Sequence, residues 1–317
     1  MINKTVTLAA IQMQSDFGET ARNLERATRF VEQAASGGAK VILFPELMPG
    51  GYMLTEQLWN TAERRGAQTE CWLMEMGGRY DAYIGTTFLE ADGDDFYNTF
   101  LLATPEGSVA GRVRKRPPAS FEAYFCRSGD DLPYIDTDLG RMGVGICYEN
   151  VLYARCKAFF DASVDLILQP SASATFEAKF PIRQKDVDAT EALMKIAASS
   201  YSAHMGVPVA FANRCGPLST ALPGGFPSLN TRFFGYTAVA DGDGTLKAQI
   251  APRDEGIAFG DVVLDPQRKA TTLFKGHGRW TVKMPWYAFI WPLTERMGKR
   301  AYARNTRRKA RARMVSA

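Results

Sequence analysis

The most constraining stretch of this chain is residues 41–44, Val-Ile-Leu-Phe, four apolar side chains in succession closed by Pro45. A strand whose successive residues are all apolar is buried on both faces, so it belongs inside a sheet that is covered. The segment before it supplies a cover. Leu24, Ala27, Val31 and Ala34 recur at helical spacing across residues 21–35, and Gly37-Gly38 offers that helix a left-handed stop. A strand over residues 5–12 comes first, so the chain opens strand, helix, strand.

The alternation continues. Strand-like runs cover residues 82–88, 97–103, 108–114, 142–146, 166–169, 208–213, 234–240, 246–250 and 257–263. Thr104-Pro105-Glu106-Gly107 and Asp241-Gly242-Asp243-Gly244 have the residues that turns demand. Helices are predicted over residues 150–162 and 184–204, and no repeat or low-complexity linker divides the chain. This pattern predicts one α/β domain with helices covering sheets.

Composition narrows the class. An apolar fraction of 46% with 23% charged residues is that of a globular protein. No apolar run approaches the ~18 residues of a membrane span, and the first twenty residues lack the regions of a secretory signal, so a cytoplasmic protein is expected. Five scattered cysteines, an odd number without a CxxC pair, argue against a disulfide framework and against a zinc site. With His204 and His277 the only histidines, a Cys–His dyad or a His-rich metal site is hard to build. Residues 295–317 hold nine Lys/Arg against one acid, a local +8 that leaves −4 on the rest of a chain of net +4.

Three segments place a reactive group directly after a buried strand: FPELMPGGY (44–52), GRVRKRPPASFE (111–122) and GVGICYEN (143–150). Taken singly, Glu46, Lys115 and Cys147 read as a surface carboxylate, one cation of a basic strand and a small buried hydrophobe. Taken together they carry chemistry. A thiol with a pKa of ~8.5 is mostly protonated at neutral pH. A carboxylate can remove its proton during attack, and an ammonium can favour the thiolate and the oxyanion that follows.

In order and spacing these segments resemble the nitrilase, or carbon–nitrogen hydrolase, superfamily across about residues 5–265. That family has a Glu after FPE, a Lys in an RK motif and a Cys ending a GxxIC strand. VDLILQPSAS (164–173), GVPVAFANRCG (206–216) and GYTAVADGDGTLKAQI (235–250) resemble its supporting segments. The resemblance implies a four-layer αββα sandwich over residues 1–270, a C-terminal extension with a basic tail over 271–317, and a homodimer or larger homo-oligomer. It implies the catalytic set Glu46, Lys115 and Cys147, with Glu122 and Tyr148 supporting or positioning substrate, and Tyr52 and Ser171 as pocket-wall candidates. No metal or organic cofactor is needed.

The substrate expected is a small amide or carbamoyl compound, hydrolysed through a Cys147 thioester with release of ammonia or an amine. A nitrile, converted through a thioimidate, is the alternative. CYEN and the RKxxP loop resemble nitrilases, whereas Tyr148 stands where they usually carry Trp, and VLYAR and SASATFE depart from their pattern. An acyltransferase or a non-catalytic scaffold ranks lower. For recognition of a substrate carboxylate, Arg155 and Arg183 are the candidates. PWYAFIWP (285–292) and the basic tail admit contact with an anionic membrane surface, but packing on a partner subunit followed by a disordered, solvated tail is the expectation. Nucleic-acid binding is not expected.

Overall fold

The computed structural model describes residues 3–179 and 181–317. The chain enters a six-stranded sheet with β1 (Lys4–Gln12), passes through helix α1 (Thr20–Ser36) and returns as β2 (Val41–Leu43). Helix α2 (Gln68–Tyr80) then leads to β3 (Tyr83–Asp92), β4 (Asp95–Ala103) and β5 (Val109–Arg114). A second six-stranded sheet holds β6 (Tyr134–Thr137), β7 (Gly140–Val144), β8 (Leu166–Ser171) and β9 (Val209–Asn213). Helix α3 (Tyr153–Asp161) links β7 to β8; α4 (Gln184–Lys195) and α5 (Ala197–Met205) link β8 to β9. A separate hairpin, β10 (Pro217–Thr220) with β11 (Leu229–Arg232), precedes β12 (Ala238–Ala240) and β13 (Leu246–Gln249) of the second sheet. Finally β14 (Gly256–Leu264) rejoins the first sheet beside β1.

The strand orders are β14-β1-β2-β3-β4-β5 and β13-β12-β9-β8-β7-β6. Each sheet has a parallel core, β1-β2-β3 in one and β7-β8-β9 in the other, flanked by antiparallel strands. Alternate residues of one strand point to different layers. Leu8 and Ala10 pack between the sheets with Leu43, Val144, Leu168 and Ala210. Ala9 and Ile11 face outward with Ile42 and Phe44, against Leu24, Val31 and Leu73 from α1 and α2. On the far side, Ile167, Val209 and Phe211 meet Phe159 of α3 and Tyr201 and Met205 of α5. The result is a four-layer αββα sandwich, and it explains why residues 41–44 are all apolar.

Local chemistry sets most element ends. Helix α1 stops at a glycine cap: Gly38, at φ +83°, donates to Ala35 O at 2.9 Å, and Ala39 donates to Ala34 O at 3.1 Å. The helix predicted over residues 184–204 is two helices, because Gln249 Nε2 takes the carbonyl of Lys195 (2.8 Å) and Ile196 leaves helical geometry. The strand predicted over residues 234–240 shortens to Ala238–Ala240, since Gly235 and Tyr236 are left-handed at φ +68° and +59°. Helix α3 starts at Tyr153 rather than at residue 150, after a short 3-10 turn, Cys147–Val151.

The largest correction concerns the C-terminus. The basic tail is neither disordered nor uniformly solvated. It forms α6 (Ile290–Arg304) and α7 (Thr306–Ser316), docked on the body of the same chain. Arg308 is buried, pairs with Asp95, donates to the carbonyl of Asp94 at 2.5 Å and stacks over Tyr302. Arg313 reaches Asp94 at 2.5 Å. The acidic β3–β4 turn thus receives the tail's cations. Among the described residues, no helix is long and apolar enough to cross a membrane.

Candidate active site

Strand direction gathers the reactive groups. β2 and β3 are parallel, and β5 runs the same way as β3 because two antiparallel pairings separate them. Residues just past the ends of β2, β5, β7 and β8 therefore emerge near one edge of the sandwich, which is where Glu46, Lys115, Cys147 and Ser173 stand.

Glu46 and Lys115 are fully buried and Glu122 nearly so. Lys115 Nζ lies 2.5 Å from Glu46 Oε1 and 2.7 Å from Glu122 Oε2. Glu46 Oε1 also accepts from Asn98 Nδ2 at 2.7 Å, while Oε2, equally buried, has no hydrogen-bond partner among the described residues. Glu122 is held by Tyr52 OH (2.8 Å) and by the backbone N–H of Ala119 (3.0 Å). The loop carrying Glu46 is fixed through its backbone: Leu47 N–H donates to Thr87 Oγ1 at 2.7 Å, and buried Arg214 donates to the carbonyls of Glu46, Leu47 and Ser15. Leu47 itself sits at φ +49°.

Cys147 is also left-handed, at φ +51°, a conformation that costs a residue with a Cβ of order 1–3 kcal/mol and needs support from its surroundings. The support is Glu149. Its carboxylate accepts from the backbone N–H groups of Ile146 and Arg116, each at 2.7 Å, and pairs with buried Arg155. Cys147 Sγ lies 3.4 Å from Ser173 Oγ. Ser173 is positioned in turn by a 2.9 Å bond from its N–H to Asn213 Oδ1.

The electrostatics follow from burial and charge count. Burial pushes the Cys147 thiol up to about 12; the Glu46 carboxylate adds to this and Lys115 opposes it. Glu46 is raised above its ordinary value, by burial first and against the pull of Lys115. Burial would depress the Lys115 ammonium, yet Glu122 and Glu46 outweigh it and hold Lys115 well above the usual lysine range. The site therefore rests with a charged lysine, a protonated thiol and a carboxyl ready to take up a proton.

Not every expected residue meets the cluster. Tyr52 does, through Glu122. The Tyr148 ring turns away to pack against Trp280 and Trp291. Ser171 Oγ bonds back to Gln169 O at 3.4 Å, and its carbonyl accepts the Glu46 N–H at 3.3 Å. Arg155 is consumed by Glu149, and Arg183 is exposed at the start of α4, so neither meets these groups. Asn98 and Ser173 were not anticipated; a lone amide inside the apolar run 97–103 is the signal that marks Asn98. Among the described residues, no three His, Cys, Asp or Glu side chains converge as metal ligands.

Comparison with known proteins identifies the family. The family model described as carbon-nitrogen hydrolase matches residues 7–270. Nitrilase 3 of Arabidopsis thaliana is 29% identical over 196 residues, 55% of this chain and 56% of that protein. The chain thus aligns with little more than half the length of this curated relative. Among solved structures, Saccharomyces cerevisiae Nit3, a member of branch 10 of the nitrilase superfamily, is similar with a TM-score of 0.67 at 21% identity, over 84% of this chain and 92% of that one. An amidase from Nesterenkonia sp. AN1 is similar with a TM-score of 0.64 at 17% identity, over 81% of this chain and 90% of that one. That structure is of a mutant of the amidase, with the acetamide moiety of fluoroacetamide added covalently at the active-site cysteine.

Proposed function

Because the chain belongs to the carbon–nitrogen hydrolase family, we propose that it hydrolyses a small amide or carbamoyl compound through a thioester on Cys147. Glu46 carries the proton and Lys115 faces the oxyanion. The observation that carries this reading is the asymmetry of Glu46: Oε1 is tied to Lys115 and Asn98, and Oε2 has no hydrogen-bond partner among the described residues, in the same site as the thiol.

Because burial pushes its thiol up to about 12, Cys147 rests protonated at pH 7. Attack and proton loss are therefore coupled. Sγ bonds to the carbonyl carbon as Glu46 Oε2 takes the thiol proton, and the carbonyl oxygen becomes an oxyanion near Lys115 Nζ and the backbone N–H of Tyr148. Glu46 then delivers that proton to the nitrogen, the C–N bond breaks, and ammonia or an amine departs. Water gives a proton to Glu46 and its oxygen to the thioester carbon. The C–S bond breaks, Cys147 recovers its proton, and the acid leaves.

Nitrile hydrolysis through a thioimidate is the second reading, favoured by the nitrilase relative and served by the same three groups. Ammonia release from a panel of aliphatic amides, N-carbamoyl amines and nitriles, with wild type beside Cys147→Ala, tests both. Cys147-dependent release from amides or carbamoyl compounds supports the first, and release from nitriles alone supports the second. No Cys147-dependent turnover on any of them would overturn the hydrolytic reading.

A further inference from the structure

The stretch between Arg279 and Gly298 lies beyond the family-matched residues 7–270, yet it touches two of the loops that build the site. At the Cys147 turn, Tyr153 N–H donates to Arg279 O and Thr281 N–H donates to Val151 O, both at 2.9 Å. The Tyr148 ring, one residue from the nucleophile, closes an edge-to-face triangle with Trp280 and Trp291, their centroids 5.7–6.0 Å apart. At the Glu122 loop, Thr294 Oγ1 lies 2.7 Å from Ser120 Oγ. Gly298 of α6 meets the same loop so closely that a Cβ there would sit 2.7 Å from Ala123 C and 2.8 Å from Tyr124 N. These are backbone atoms of the two residues after Glu122, and no side-chain rotation relieves them.

We propose that this segment is a positioning element of the active site, clamping the Cys147 turn through Trp280 and Trp291 and seating the Glu122 loop on Gly298. Its residues act through others and touch no reacting atom. The inference rests on the reading of Cys147 as nucleophile, and it assigns the extension a part in catalysis separate from any part in assembly. The mechanical logic is short. Glu122 braces Lys115 at 2.7 Å, and Lys115 is the cation acting on Cys147. A loop displaced by a few tenths of an ångström therefore loosens Lys115 from the thiol. A misplacement of about 1 Å made far from the chemistry can cost about a hundredfold in rate, so a shift of a few tenths of an ångström is expected to cost up to about tenfold.

Alkylation of the full-length protein by iodoacetamide, resolved peptide by peptide, tests this without a known substrate. Exposed Cys71 is the internal reference, and buried Cys126, Cys156 and Cys215 report global unfolding. In Gly298→Ala, Cys147 should react about tenfold more slowly than in wild type at neutral pH, with Cys71 unchanged and the buried thiols still protected. Thr294→Val, which deletes the hydroxyl contact to Ser120 together with that hydroxyl's bonds to Ile290 O and Trp291 O within α6, should slow it less and in the same direction. It keeps the test decisive if the first variant unfolds. Rate–pH profiles for Cys147 that superimpose on wild type in a folded variant would overturn the proposal. If Lys115→Met also leaves the profile of Cys147 unmoved, the reading of the site itself fails instead.

Discussion

Replacing Lys115 by Met removes the one ammonium that sits between two buried carboxylates. Both partners stay where they are: Glu46 fully enclosed, Glu122 at 2% exposure. Breaking a buried pair by deleting one member costs about 3–5 kcal/mol, because the other charge is left without compensation. The sign with pH can be worked out. Burial already raises the Glu46 carboxyl, and Lys115 is the largest influence opposing it. Without Lys115 the carboxyl rises further. A carboxyl whose pKa is higher in the folded than in the unfolded state contributes fully below its unfolded value, and that contribution is lost as pH rises through the folded value. The deficit of Lys115→Met should therefore be small near pH 5 and grow towards pH 8, by at most about 1.4 kcal/mol per pH unit for each carboxyl that titrates. Urea unfolding followed by tryptophan fluorescence at several pH values measures it. Adding Glu122→Gln to the variant should recover part of the loss at pH 8 and little at pH 5. A variant within about 1 kcal/mol of wild type at pH 8, or a deficit that does not change with pH, would refute the picture of a lysine compensating two buried carboxylates.

Two further outcomes follow from the same geometry. Glu46→Gln keeps an acceptor for Lys115 and Asn98 but loses the proton carrier, so turnover should fall about 10²–10⁴-fold; in wild type the acid limb of the rate profile should lie above 4.5, where burial has moved this carboxyl, and a limb at or below 4.5 would contradict the assignment. Arg308→Met leaves Asp95 with Arg127 as its ion-pair partner at 2.5 Å and removes the tail's bond to the Asp94 carbonyl, so it should cost about 1–3 kcal/mol, read as rapid proteolysis within α7 at pH 7; unchanged protease resistance would mean the Asp94–Asp95 turn does not anchor the tail.

The sandwich was legible because its signals are local. Residues 41–44 demanded cover on both faces, Leu24 to Ala34 provided it, and Gly38 closed the helix as expected. Helix α2 has a readable face in Thr69, Trp72, Leu73 and Met76, all buried, but Gly77-Gly78 near its end weakens the helical signal, and no helix is predicted there. The tail was misread for another reason. A run of nine cations has no local reason to be ordered. Its order comes from Asp94 and Asp95, more than two hundred residues away, in a turn whose own acidity looks unremarkable until the two meet. Ser173 and the Trp280–Trp291 clamp were unreadable on the same grounds, since each acquires its role only through a partner from a distant segment.

The active cluster shows why a second carboxylate belongs with the three residues that the motifs expose. Lys115 paired with Glu46 alone would form a closed, neutral unit, and a carboxylate fully satisfied by an ammonium is a poor acceptor for the thiol's proton. Glu122 changes the count: it shares the ammonium at 2.7 Å, so with all three groups ionised the buried cluster carries one negative charge in excess. A low-dielectric interior disfavours that excess, and the cheapest relief is a proton on one carboxyl. Tyr52 and the Ala119 N–H commit their hydrogen bonds to Glu122, whereas Glu46 keeps an oxygen with no donor among the described residues. The proton demand therefore falls on Glu46 Oε2. The fold makes that oxygen basic by giving one cation two anions and satisfying only one of them.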